Sequence, residues 1–174
     1  MPHYRSTSKV ETQNLASLPI HRPLKRGRTL GGKSMDEQQY QRGVEQFAQM
    51  VGAHKIDALR ARFRQVSPEF ERAVMGIVGG EIWTRPNLDL RTRSLVSIGI
   101  LAALGRTNAL ALNVEMALNN GATEEEIVET YFQVAIYAGF AAAWDALEKT
   151  NPVMAAYREA NPRATNHAER EDHE

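Results

Sequence analysis

Every start and stop signal between Ser34 and Pro152 is a helix signal, which excludes most folds open to a chain of 174 residues. Ser34 with Glu37 reads as a capping box and predicts a helix running to Gly52. A second, short helix is expected over about 54–65. Ser67-Pro68 pairs an N-cap with proline at the first helical position, where its missing N–H has no intrahelical partner to lose. From there Phe70, Val74, Ile77 and Val78 mark one apolar face, and Gly79-Gly80 reads as a stop. The next helix, over about 90–104, is apolar nearly all round in its second half and is expected to be the central, buried one. Asn108 is placed to cap "ALALNVEMALN", which ends at Asn120-Gly121. Thr123 with Glu126 is a second capping box, opening a segment that runs to Tyr137 and breaks or kinks at Gly139. Asn151-Pro152 reads as the end of the following piece. No stretch alternates with period two over a useful length, so no strand is expected. The fold class is all-α: a compact, single-domain helical bundle of six to eight helices.

The inventory narrows the chemistry. Cysteine is absent, which removes disulfides, thiol nucleophiles and thiolate metal sites together. All five histidines (His3, His21, His54, His167, His173) lie outside 55–166, so a histidine-based triad, zinc site or proton shuttle inside that segment is excluded. No lysine occurs between Lys55 and Lys149, which excludes a core Schiff base. Residues 1–34 carry seven Lys or Arg against Glu11 and show no apolar periodicity, which reads as a disordered basic leader. Its Arg and Ser content also fits an organelle transit peptide. Residues 158–174 read as a solvated tail. The domain between, 35–157, holds fifteen acids and eleven bases and is a poor surface for nucleic acid. No apolar run is long enough to span a bilayer. A cytoplasmic protein without nucleic-acid or membrane partners is the expectation.

The pieces "IWTRP", "RTRSL", "NNGATEEEI" and "AIYAG", in this order and spacing, resemble the carboxymuconolactone decarboxylase family. The likeness covers roughly 35–153 and is strongest to the branch that decarboxylates 4-carboxymuconolactone. The family's fold, shared with alkylhydroperoxidase-D-like proteins, is an all-α domain that assembles into rings. The resemblance therefore implies a homotrimer or homohexamer with sites near subunit interfaces. The peroxidase branch uses Glu and a Cys-x-x-Cys-x-x-x-His motif. Those positions fall here on Ser94, Arg106, Ala109 and Asn113, so peroxidase chemistry is ruled out. The decarboxylase branch usually keeps that histidine; an asparagine in its place holds a carbonyl or water but transfers no proton.

The reaction the resemblance implies needs no cofactor, because the substrate's own lactone carbonyl drains the electron pair left by CO2. The enzyme must stabilise the developing oxyanion, grip a spectator carboxylate and supply a proton. Guanidinium groups suit the first two tasks, and a small carboxylate or lactone is the expected ligand. Glu81, Arg85, Arg93 and Asn113 are the expected catalytic group, with Trp83, Tyr137 and Trp144 as substrate-binding walls. Beside this stand structural readings: an Arg93–Glu81 ion pair pinning the loop, Trp83 as a core plug, Asn113 as a packing amide and Tyr137 as a core phenol with a wet tip. An alternative function is a non-decarboxylating member that binds, isomerises or cyclises another aromatic or polyketide-derived molecule.

Overall fold

The structure is a computed structural model and describes residues 36–162. The expected leader, the Ser34 cap and most of the expected tail lie outside the described residues. Seven α-helices follow one another: α1 (Glu37–Val51), α2 (Ile56–Val66), α3 (Pro68–Ala73), α4 (Leu90–Ala103), α5 (Thr107–Asn119), α6 (Glu124–Ala138) and α7 (Phe140–Ala160). Between α3 and α4 the chain winds as a π-helix over Val74–Ile82. Among the described residues there is no strand.

Several caps form as expected. Ser67 accepts from the Phe70 N–H with Pro68 behind it, and the Thr123–Glu126 capping box closes in both directions. Gly52 ends α1 and Gly139 ends α6. Others differ. Asp36 caps α1 by accepting from the Gln38 N–H. α5 starts at Thr107 after Arg106 with no side-chain cap, so Asn108 is inside the helix. The turn from α4 closes instead through a left-handed Gly105 (φ 64), with the Arg106 N–H bonded back to the Leu101 carbonyl at 2.8 Å. α7 runs through Pro152 to Ala160. Packing overrides the proline there: Met154 is buried, Val153 and Tyr157 pack against the core, and the Tyr157 hydroxyl donates to the Leu118 carbonyl at 3.3 Å.

The Gly79-Gly80 pair does not stop its helix. It is a contact surface. A Cβ on Gly80 would fall on the Gln39 carbonyl oxygen, one on Gly43 would fall on that of Met75, and one on Gly79 would sit 2.8 Å from the Gly43 carbonyl oxygen. Backbone therefore meets backbone between α1 and the π segment. Such contact leaves Phe70, Ile77 and Val78, expected on a core face, exposed on the outside.

Two apolar clusters make the core. One joins α4, α5, α6 and α7 around Ile98, Leu110, Val114, Ile127 and Tyr131. The other joins α1, α2 and the π segment around Phe47, Met50, Ile56, Met75 and Trp83, and α5 enters it through Met116. The helix shared by both is α5, not α4. On α4 only Ser94, Ile98 and Ala102 are buried, whereas Val96, Ile100 and Leu104 are exposed.

Beside the second cluster, Glu71 is 3% exposed and accepts from the Tyr40 hydroxyl (2.9 Å), Arg60 Nε (3.0 Å) and Arg64 Nη2 (3.2 Å). Burial alone would raise this carboxyl, but those three donors outweigh it and hold it below the usual glutamate range. The network ties α1, α2 and α3 into one corner.

Gly43→Ala should cost about 3 kcal/mol or more in urea melts, since neither backbone can yield. Gly105→Ala, with open space around it, should cost only about 1–2 kcal/mol of left-handed strain. Glu71→Gln should cost about 2–4 kcal/mol at neutral pH, the range reduced because Arg64 is half exposed. A carboxyl lowered in the folded state stabilises above its unfolded pKa of about 4.3 and loses that contribution as pH falls through the folded value. The gap between wild type and Glu71→Gln should therefore narrow in melts taken below about pH 4. A gap that stays constant would assign the loss to packing instead of charge.

Candidate active site

The loop 83–89 hangs between the π segment and α4, and both ends are tied by hydrogen bonds. The Trp83 N–H closes the last π turn on the Val78 carbonyl at 2.9 Å, and its indole, 8% exposed, fills the α1 cluster. Thr84 donates its hydroxyl to the Gly80 carbonyl at 2.9 Å. At the other end Asp89 caps α4, accepting from the Thr92 N–H (2.9 Å) and hydroxyl (2.8 Å). Those bonds, backbone first, hold the Asp89 carboxyl below its usual range.

Arg93 spans the loop from inside. Its Nη2 donates to the carbonyls of Arg85 and Leu88, each at 3.1 Å. Its Nε is buried and has no partner. Among the described residues no carboxylate pairs with Arg93 or Arg85. The Arg93–Glu81 ion pair is therefore replaced by a grip on backbone carbonyls. A half-buried guanidinium satisfied only by neutral acceptors keeps its full charge uncompensated, and a buried donor without a partner is costly. Arg85 is exposed on the same loop. Two guanidinium groups thus share one short segment, and the chemistry they offer is anion binding.

The other expected residues make no hydrogen bond to this pair. Glu81 is exposed, not buried, and its carboxylate accepts from Gln39 Nε2 at 3.3 Å. Asn113 is half-buried on α5, with Nδ2 donating to the Ala109 carbonyl one turn back at 2.8 Å. Tyr137 is 86% exposed, on an open groove of ≈ 410 Å³ between α4 and α6. Trp144 is 65% exposed, beside a small apolar cavity of ≈ 90 Å³ between α6 and α7. Neither ring is core. One polar contact escaped the sequence reading: Ser94, 1% exposed, accepts from Asn120 Nδ2 at 2.9 Å and ties α4 to the end of α5. The signal was the Ser94, Ile98, Ala102 spacing, which puts a hydroxyl on the one face of α4 that is buried.

No helix among the described residues is long and apolar enough to cross a membrane. The sequence profile of the carboxymuconolactone decarboxylase family matches residues 68–151, from the Ser67 cap to the middle of α7. The 4-carboxymuconolactone decarboxylase of Acinetobacter baylyi is 32% identical over 119 residues, 68% of this chain and 89% of that protein. The nitrosuccinic acid decarboxylase of Metarhizium robertsii is 37% identical over 75 residues, 43% of this chain and 52% of its own. An uncharacterised 15.0 kDa protein of Paracoccus denitrificans is 38% identical over 78 residues, 44% of this chain and 58% of its own. Both relatives with a named activity are decarboxylases. The chain belongs to the carboxymuconolactone decarboxylase family.

Proposed function

We propose that the chain is a cofactor-independent carboxy-lyase that decarboxylates 4-carboxymuconolactone or a related lactone acid in the breakdown of aromatic compounds. The observation that carries this reading is Arg93: a guanidinium held in place by two carbonyls, with no counter-carboxylate and a buried Nε left over. The naming of two relatives as decarboxylases supports it.

In this reading Arg85 grips a carboxylate of the substrate that stays behind, and Arg93 faces the lactone carbonyl. The bond from ring carbon to the leaving carboxylate breaks and CO2 departs. Its electron pair passes through the conjugated ring onto the carbonyl oxygen, where Arg93 stabilises the oxyanion. Neither arginine pairs with the leaving carboxylate, since that would stabilise the ground state and oppose the reaction. The dienolate then takes one proton on carbon, from Glu81 or from water, to which Glu81 is open. Asn113 holds a substrate oxygen or a water through its amide.

A second reading is favoured by one observation. The residue in the family's histidine position is an asparagine whose N–H already serves Ala109, so it moves no proton. A member that binds or isomerises an anionic aromatic ligand would need the arginines and not that step.

The working unit in this proposal is a homotrimer or homohexamer in the cytoplasm. Val96, Ile100, Leu104, Phe132, Ile136 and Phe140, on α4, at its C-cap and on α6 and α7, are all exposed apolar side chains of the kind that subunit interfaces cover. A second copy would cover it.

Enzymatically generated 4-carboxymuconolactone should release CO2 and the enol-lactone on adding the protein. Arg85→Lys keeps the charge and loses the two-pronged donor, and should lower kcat/KM about tenfold or more, corresponding to roughly 1.5–3 kcal/mol. Asn113→His should raise turnover if the missing histidine limits the rate. Ligand binding with no CO2 from either protein would support the second reading, and wild-type kinetics in Arg85→Lys would remove that residue from the site. Light scattering should give a mass that is a multiple of the 19.4 kDa chain, three- or sixfold. A lone 19.4 kDa species at micromolar concentration would refute the assembly.

A further inference from the structure

A cleft on another part of the molecule takes none of its lining from the Arg93 loop. It measures ≈ 750 Å³ and lies where the end of α1, the start of α2, and the ends of α5 and α7 meet. Glu115 and Asn119 line it from α5. Asn113 and Glu115 are two residues apart on the same helix, about 200° round its axis, so the cleft opens on the opposite side of α5 from Asn113. The volume falls in the range of small-molecule sites.

Charge decides what such a cleft takes. Three helices, α1, α5 and α7, bring their C-termini to it, each equivalent to about half a negative charge, against the N-terminus of α2 with about half a positive one. Glu115 and Lys55 pair across the cleft and cancel. With His54, which also lines the cleft, counted as neutral, the sum is at most about one net negative charge, reduced by the bonds that Asn119, Tyr157 and Asn161 donate to end carbonyls. An anion is therefore disfavoured although a lysine lines the wall. The Glu115 side chain remains 25% exposed and Lys55 50%, so the lysine is the mobile partner and can be displaced. Val51, Pro152, Val153 and Ala156 supply an apolar wall beside the carboxylate.

We propose that this cleft is a second ligand site, separate from the Arg93 loop, for a primary ammonium compound with a compact apolar body. The ammonium takes the place of the Lys55 ammonium on Glu115, in the field of the three helix ends. The body lies on the Val51–Pro152–Ala156 wall. No bond is made or broken, and the site adds recognition of a cation to a protein whose other site recognises anions.

Phenethylammonium, phenylacetate and phenylethanol share one apolar body and differ in charge. Titrating each into the full-length protein, with amide shifts followed by NMR, should give saturable binding of the ammonium with the largest shifts at Gly52, Asn119 and Tyr157. Phenylacetate should bind there at least tenfold more weakly. Lys55→Ala frees the carboxylate and should tighten ammonium binding severalfold; Glu115→Gln should weaken it about tenfold or more. Should Glu115→Gln unfold the corner, Ala156→Trp remains a test: the residue is exposed, and an indole there should fill the cleft and abolish binding. Binding that Ala156→Trp leaves intact overturns the proposal. So do equal affinity for ammonium and carboxylate, weaker binding in Lys55→Ala, or no saturable binding.

Discussion

The contact between α1 and the π segment sets the geometry of everything after it. At Gly43, Gly79 and Gly80 two backbones meet with no side chain between them. An α-helical turn offers few ways to bring a carbonyl that close. Winding the segment as a π-helix widens it, and Gln39 reaches across to bond the Gly76 carbonyl at 3.0 Å. The π turn then ends on Trp83, whose indole is held in the α1 cluster. The loop therefore leaves a rigid corner in a set direction, and Arg85 and the carbonyls that Arg93 grips inherit that direction. A loop anchored this firmly can carry uncompensated charge without collapsing onto the nearest carboxylate.

The hub of the molecule is α5, and α4 works differently from what its composition indicates. A helix apolar on all sides is expected inside, yet a domain of this size encloses only one helix fully. α5 comes nearest to that place, because it buries Leu110, Val114, Met116, Ala117 and Leu118 and faces both clusters. α4 presents its surplus apolar face outward, together with α6 and the start of α7. In the proposed oligomer a second copy covers this surplus.

Local chemistry was legible in the sequence and tertiary chemistry was not. The Ser67-Pro68 start, the Thr123–Glu126 box and the glycine ends of α1 and α6 depend on a few adjacent residues, so their patterns carry their own meaning. Gly79-Gly80 looks the same in sequence whether it ends a helix or lets another backbone approach, and only Gly43 across the contact decides between them. Pro152 reads as a stop because its cost is local, while the burial of Met154 that outweighs it is not. The helical class and the arginine-bearing loop could be read from the chain. The partners of those arginines could not, because carbonyls leave no mark in a sequence. Glu81 invited pairing with Arg93 by charge, and the loop geometry gave it Gln39 instead.

In the proposed site Arg93 would combine two tasks that are often given to separate residues, coupling loop order to ligand charge. Its Nη2 holds the loop closed through Arg85 and Leu88, while its Nε faces no acceptor. A proposed anionic ligand would take guanidinium N–H groups other than those on the carbonyls, and so would draw nothing away from them. Binding and loop closure would then reinforce each other through one side chain. The arrangement also explains why an arginine serves here and a lysine would not: an ammonium reaching the two carbonyls would have no fixed fork left to offer a ligand. With no histidine between Lys55 and Asn166, the proton step of the proposed reaction would fall to a carboxyl group or water. The burden on the protein in that proposal would then be electrostatic, a task suited to a loop stapled by its own arginine.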